Sequence, residues 1–257
     1  MTRTATHAAV PILLYHSVND RPAAGQEAYT VTPAAFREHV RAISDAGRTA
    51  LSIKDLASAL RGERSLPSRA VLVTFDDGFA DTRPAVELLL DAGLEASVFV
   101  TSGLVGEKAM LTPSGVRNLA GLVEVGAHSV THPRLDELGA AQTATEISAS
   151  KAAIEELTGN HLHSFAYPHG AYDRRVRAAV IDAGFTAAAA VKNALSHGKD
   201  DPYALARITV MAGTSAHDIE SLLAGSGARL VRSRERLRTR GYRSVRRLRR
   251  RLRGAVA

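Results

Sequence analysis

The sequence predicts an α/β fold made of parallel βαβ units and closed into a barrel. Two observations carry that expectation. Short apolar runs alternate with amphipathic helical patterns from residue 10 to residue 223, the arrangement of parallel strands joined by crossover helices. The runs are continuously apolar, as in strands buried on both faces, and with seven or eight such units a closed barrel is expected over an open doubly wound sheet.

Taken in order, Pro11-Ile12-Leu13-Leu14-Tyr15-His16-Ser17 reads as a first buried strand with a polar exit. Thr32 and Pro33 open a helix as N-cap and first helical residue, Phe36, Val40 and Ile43 mark its inner face, and Gly47 ends it. A short strand at 49–51 is followed by Ser52-Ile53-Lys54-Asp55, which resembles a capping box, and by a helix with Ile53, Leu56 and Leu60 on one face. The apolar run 71–75 stops at Asp76-Asp77-Gly78. A helix over 84–92 closed by Gly93, a strand over 96–100 and a helix opening at Thr112-Pro113 come next. The apolar stretch 122–127 leads into His128-Ser129-Val130-Thr131-His132. A helix over 143–157, with Ile147, Ile154 and Leu157 inward, ends at Gly159. Strand 162–167, helix 173–183, strands 185–191 and 204–210, and a helix over 215–223 complete the body.

Composition narrows the chemistry. The 257 residues are 45% hydrophobic, enough for a sizeable core, and contain no cysteine, so a metal must rest on His, Asp or Glu. No Gly-rich phosphate-binding pattern follows a strand, and a nucleotide cofactor is not expected. The apolar run 8–14 is too short for a membrane span and lacks a cleavage pattern, which leads us to expect a cytoplasmic enzyme. Charge is divided unevenly. Thirteen of the 33 basic residues are arginines within 229–253, where Glu235 is the one acid, a net of +12. The rest of the chain has 20 basic and 25 acidic residues, a net of −5. We therefore expect a body over 1–226 and a basic tail over 227–257, with Val245, Leu248 and Leu252 at helical spacing. A solvated segment is one reading of this tail; an element lying on the anionic inner face of a membrane is another. Nucleic acid ranks third, since only Tyr242 could stack, and no specific nucleic-acid partner is expected.

Two adjacent carboxylates at a strand end can serve one site in different roles, because consecutive residues leaving a strand point in different directions. Asp77-Gly78 is also an ordinary turn dipeptide, so by itself the pair does not decide. His128 and His132, four residues apart after another apolar stretch, supply the residue type most used for metals. One Asp with the two His would make a three-ligand site with room for water and substrate. His16 leaves the first strand in the same way, or else is a histidine satisfied by a backbone carbonyl.

Thr74-Phe75-Asp76-Asp77-Gly78, His128-Ser129-Val130-Thr131-His132 and Phe165-Ala166-Tyr167-Pro168-His169-Gly170 stand in the order of the polysaccharide deacetylases with a NodB-type domain, carbohydrate esterase family 4. The resemblance covers about residues 10–223, and Leu-Tyr-His-Ser near the start is similar to the exopolysaccharide-synthesis branch. It implies a distorted (β/α)7-type, TIM-like barrel and a hydrolase that removes an N-acetyl group from an aminosugar in a polysaccharide, lipid-linked saccharide or glycoconjugate. It further implies a divalent metal, zinc by preference, on Asp77, His128 and His132, with Asp76 as base and His16 as acid. Tyr167, Pro168, His169 and Gly170 would line the substrate, with Tyr172 an alternative to Tyr167 beside the sugar and a core position the other reading of either tyrosine. Leu195-Ser196-His197 spells the late Leu-x-His motif of other branches but precedes the last strand in a polar loop, so His16 is preferred. The familiar third motif would put Arg at position 166, where this chain has Ala166; Arg207 is the candidate to replace it. A non-haem iron enzyme using the same His and Asp residues, or a binding protein acting through its tail, are the other classes.

Overall fold

The computed structural model describes residues 9–231. Seven parallel strands close on themselves: β1 (Ile12–Tyr15), β2 (Ala70–Phe75), β3 (Ser97–Val100), β4 (Glu124–Ala127), β5 (Ser164–Ala166), β6 (Ala187–Val191) and β7 (Leu205–Thr209). Each pairs with the next, and β1 closes the ring by pairing with both β2 and β7, so no barrel strand is left with a free edge. Closure is thus seven-stranded rather than eight-stranded.

Helices α1 (Pro33–Asp45) and α2 (Ile53–Leu60) both lie between β1 and β2, with a short strand, Thr49–Ala50, added outside β2. Then α3 (Thr82–Asp91), α4 (Pro113–Ala120), α5 (Ala140–Thr158) and α6 (Arg174–Asp182) follow successive strands, and α7 (Ala216–Leu223) follows β7. Thr32 caps α1 as expected, accepting from Ala35 N–H; Ser52 accepts from Asp55 N–H, but the Asp55 carboxylate meets the Ser52 hydroxyl rather than its N–H, so the expected box is half made, while Ser215 with Asp218 forms a full capping box. The β6–β7 crossover departs from the alternation. Its residues 192–204 contain no helix; Ser196–His197 instead pairs antiparallel with Ala9–Val10. Helix α5 begins three residues before the expected start, at the Gly139 cap, and β6 starts at Ala187 rather than 185 because Phe185 is still in the turn from α6.

Strand alternation builds two apolar layers. Ile12, Leu72, Phe99, Ala166, Ala187, Ala189 and Leu205 face inward and meet Ile53, Leu56 and Ala57 of α2. Helix α2 lies across the N-terminal mouth, where the Ile53 and Lys54 N–H groups donate to Ser97 and Glu124 at the starts of β3 and β4. Leu13, Val71, Val73, Val98, Phe165 and Val180 belong to the outer layer between barrel and helices. The narrow interior demands small residues: a Cβ on Gly126 would lie 2.7 Å from the Phe99 ring. With its N-terminal mouth closed, the barrel opens at the C-terminal ends of its strands, where polar residues leave it.

Of the basic tail, only 227–231 lies within the described residues. Arg229 C=O accepts from Leu195 N–H and Val231 N–H donates to Leu195 C=O, so the chain is still paired to the body there. The expected amphipathic helix around Val245, Leu248 and Leu252 lies outside the described residues. No helix among the described residues is long and apolar enough to cross a membrane.

Candidate metal centre and active site

Asp76 and Asp77 leave β2 in opposite senses. Asp76 continues the inward parity of Leu72 and Thr74, whereas Asp77 has φ 73°, a left-handed conformation that Asp tolerates better than most residues, and Gly78 follows at φ 87°. The Asp77 carboxylate thereby meets the histidine loop. His128 Nε2 stands 3.5 Å and His132 Nε2 3.3 Å from Asp77 Oδ1, and the two Nε2 atoms are 3.2 Å apart. Ligand atoms about 2.0–2.1 Å from one centre in tetrahedral directions are about 3.3 Å from each other. These three residues are the one such His/Asp/Glu cluster among the described residues, and they could hold a divalent metal.

Two further observations fit a cation. Asp77 Oδ1 is buried with no hydrogen-bond partner, a costly state for a carboxylate oxygen unless an ion meets it. The His128 ring is held through Nδ1 by the Ala166 carbonyl at 2.8 Å, which assigns the proton to Nδ1 and leaves the Nε2 lone pair for a metal. Burial holds His128 neutral, with its pKa pushed down to about 3, and lowers that of His132. Burial and the neighbouring Asp76 charge raise Asp77 to about 6, against the pull of His16 and Arg207.

The loop carrying the histidines is fastened by a residue the sequence reading missed. Glu146 on α5 accepts from Val130 N–H (2.8 Å), Thr131 N–H (2.9 Å) and Thr131 Oγ1 (2.7 Å), while Ser129 Oγ accepts from His132 N–H. Ser129, His132 and His169 have φ between 57° and 63°, so with Asp77 four left-handed non-glycine residues surround the site. Such strain gathers where the surrounding structure dictates geometry.

Asp76 is wholly different from its neighbour. Arg207, fully buried on β7, grips it with a fork: Nη1 to Oδ1 at 2.6 Å and Nη2 to Oδ2 at 2.7 Å, with Thr74 Oγ1 3.3 Å from Nη1. Burial alone would raise the Asp76 pKa, but the charge and hydrogen bonds of Arg207, with the nearby His128 and His16 rings, outweigh it and hold the carboxyl at about 2. Position 166 is an interior alanine beside β6; the guanidinium reaches the same carboxylate from β7, stacked 5.4 Å from the Phe99 ring centre. His16, just past β1, lowers both carboxylates electrostatically, and its Nδ1 is buried without a partner. Asp81 accepts from Ser17 Oγ, Val18 N–H and Asn19 Nδ2, tying the segment after His16 to the loop after β2. His197 lies at the other end of the barrel, paired with Ala9 ahead of β1.

Among the residues of the 165–170 stretch the placement is mixed. Tyr167 does not face the site: its side chain belongs to the outer core, stacked on Tyr172 at 4.6 Å with its hydroxyl donating to the Tyr203 carbonyl, so the expectation that it flanks substrate is corrected. Tyr167 comes directly after β5 and continues the outward parity of Phe165. His169 does reach the centre, its ring 4.5 Å from that of His132. Gly170 is required by close approach, since a Cβ there would lie 2.6 Å from Val191 N. Two clefts, of about 360 and 290 Å³, lie at the opposite end around Lys54 and Glu124 and hold no comparable cluster.

The model of the polysaccharide deacetylase family matches residues 63–188, which include both aspartates, both loop histidines and the 165–170 turn. The chain belongs to the polysaccharide deacetylase family. It is 26% identical over 215 residues, 83% of this chain and 75% of the other, to the Bacillus subtilis (strain 168) protein named "Putative polysaccharide deacetylase YxkH". Over 86 residues it is 34% identical to the poly-beta-1,6-N-acetyl-D-glucosamine N-deacetylase of Escherichia coli (strain K12), covering 34% of this chain and 13% of that protein. The structure of the Streptococcus pyogenes deacetylase PplD in complex with acetate shares the fold, with TM-score 0.76 and 23% identity over 83% of this chain and 97% of that one. His16 and Arg207 fall outside the family-matched segment, so their assignment to this deacetylase's site rests on the geometry above.

Proposed function

We propose that the chain hydrolyses the N-acetyl group of an aminosugar, with Asp77, His128 and His132 as metal ligands, Asp76 as base and His16 as acid. The observation that carries this reading is the division of labour between adjacent carboxylates, one turned to two imidazoles and the other forked by a buried arginine. A bound divalent cation, zinc in our reading, would polarise the amide carbonyl and lower the pKa of a coordinated water. Asp76, kept ionised by Arg207, accepts the proton of the attacking water as the carbon–oxygen bond forms. His16 gives a proton to the amine nitrogen as the carbon–nitrogen bond breaks, releasing acetate and a free amine.

The 167–170 turn supplies the candidate donor for the developing oxyanion. The N–H groups of Tyr167, Gly170 and Ala171 are engaged by the Ala189, Tyr167 and Pro168 carbonyls, and Pro168 has none, which leaves the His169 N–H for that role. An oxygenase would have no use for a second carboxylate locked to an arginine, and this pair favours hydrolysis over the iron alternative.

The name of the Escherichia coli relative supports N-acetylglucosamine polymers as the first acceptor to test. Acetate release should be measured with metal-reconstituted protein on a polymer, a lipid-linked saccharide and a small glycosylated metabolite; release from none of them would defeat the reading. The thirteen arginines of 229–253 support action at the anionic inner face of a membrane from the cytoplasm. Each arginine near such a surface contributes about 1 kcal/mol, screened by salt. Truncation after residue 231, which keeps the pairing with Leu195 and removes twelve of the thirteen arginines, should abolish co-sedimentation with anionic vesicles and spare turnover of a soluble acceptor, whereas equal sedimentation of both forms would reduce the tail to a solvated segment.

A further inference from the structure

We infer that Tyr29 is the platform on which the sugar ring of the substrate rests, and that with Met211 it forms an apolar ledge selecting saccharides over small acyl compounds. The inference rests on the deacetylase reading, in which His16 protonates the amine. That nitrogen is bonded directly to the sugar, so the pyranose must lie on the His16 side of the centre while the acetyl group lies toward the metal ligands.

On that side the Tyr29 ring stands 5.1 Å from the His16 ring, tilted by 53°, and 40% of the residue is exposed. Large apolar residues left this exposed are few among the described residues, and a second of them, Met211, comes from the adjacent loop after β7. The two loops are joined by Ala212 N–H donating to the Ala28 carbonyl at 2.9 Å. Tyr29 is also pre-ordered. It ends the 3-10 turn Glu27–Tyr29, its N–H bonds the Gln26 carbonyl, and Thr30–Val31 pairs in parallel with Ser17–Val18 just after His16. An aromatic face held in place by backbone bonds binds the apolar face of a pyranose without paying for its own ordering. A flexible aromatic would gain less.

The test compares wild type, Tyr29→Ala, Tyr29→Phe and Met211→Ala, each loaded with metal, on an N-acetylglucosamine tetramer and on para-nitrophenyl acetate, which has no sugar. Tyr29→Ala should raise KM for the tetramer by about 5- to 20-fold with kcat changed less than about 3-fold, and leave ester hydrolysis at the wild-type rate. Tyr29→Phe should behave as wild type on both, and Met211→Ala should raise KM for the tetramer by a smaller factor. Equal loss on both substrates would overturn the platform, because Tyr29 would then act by positioning His16. So would an unchanged KM, or a Tyr29→Phe defect as large as that of Tyr29→Ala. A wild-type enzyme that cleaves the ester but releases no acetate from any saccharide would instead overturn the aminosugar reading and the ledge with it.

Discussion

Asp76→Asn is expected to lower kcat for acetate release by about 10²- to 10⁴-fold while the metal content stays at one equivalent, the range a positioned general base contributes. An asparagine keeps the shape of the side chain but cannot take a proton from water at neutral pH. Asp77, one residue on, should respond differently, because its oxygen faces His128 and His132 rather than Arg207. Paired measurement of bound metal and of acetate release on the same preparations checks this. Retention of more than half the wild-type rate in Asp76→Asn would remove the base assignment. Since the asparagine also leaves Arg207 half-satisfied, the comparison belongs at a temperature where circular dichroism shows the variant folded.

Arg207→Met should give the largest loss of stability of any single change at the site. Both partners of the Asp76–Arg207 pair are at most 3% exposed, and removing one partner of a buried pair costs about 3–5 kcal/mol because the other charge is left unmet. Lysine should not rescue it, since an ammonium cannot fork onto both carboxylate oxygens. The pH dependence follows from the direction of the shift. Asp76 is depressed in the folded protein from 3.8 to about 2, so the pair's stabilisation is complete above about pH 4 and is lost as the pH falls through about 2. In Arg207→Met burial acts unopposed by the guanidinium, the Asp76 pKa rises, and the acid limb of the pH–rate profile should move to higher pH. Denaturant unfolding at neutral pH and the kcat profile measure the two effects. An unshifted acid limb would mean that Arg207 does not govern the base.

Much of the site was legible because its residues sit where strand grammar and short-range spacing agree. Asp76, Asp77 and His128 each follow an apolar run, and the N-caps Thr32, Thr112 and Ser215 announce their helices with the residues that satisfy the first turn. Ring closure between β1 and β2, residues some sixty positions apart, leaves no local signal. The same is true of Glu146, which looks like any surface acid on a helix until the loop fifteen residues earlier is folded against it. The motif around Tyr167 suggests a role beside the sugar, but the residue continues the outward parity of Phe165 and is buried in the outer core. The helix expected at 143 starts at Ala140 because Gly139, not a side-chain cap, opens it. Arg207 could be nominated from sequence as a replacement for the residue missing at 166, but only three-dimensional proximity shows the fork reaching Asp76 from a strand two positions around the barrel.

The central claim is that Asp77, His128 and His132 hold one catalytic divalent metal between them. Metal content per chain, measured together with acetate release on Asp77→Ala, His128→Ala and His132→Ala after reconstitution with zinc, tests it most directly. Loss of metal and of activity together in all three is the predicted result, since removing one of three protein ligands leaves an incomplete site. A folded His128→Ala protein that keeps a full equivalent of metal at its centre would contradict it.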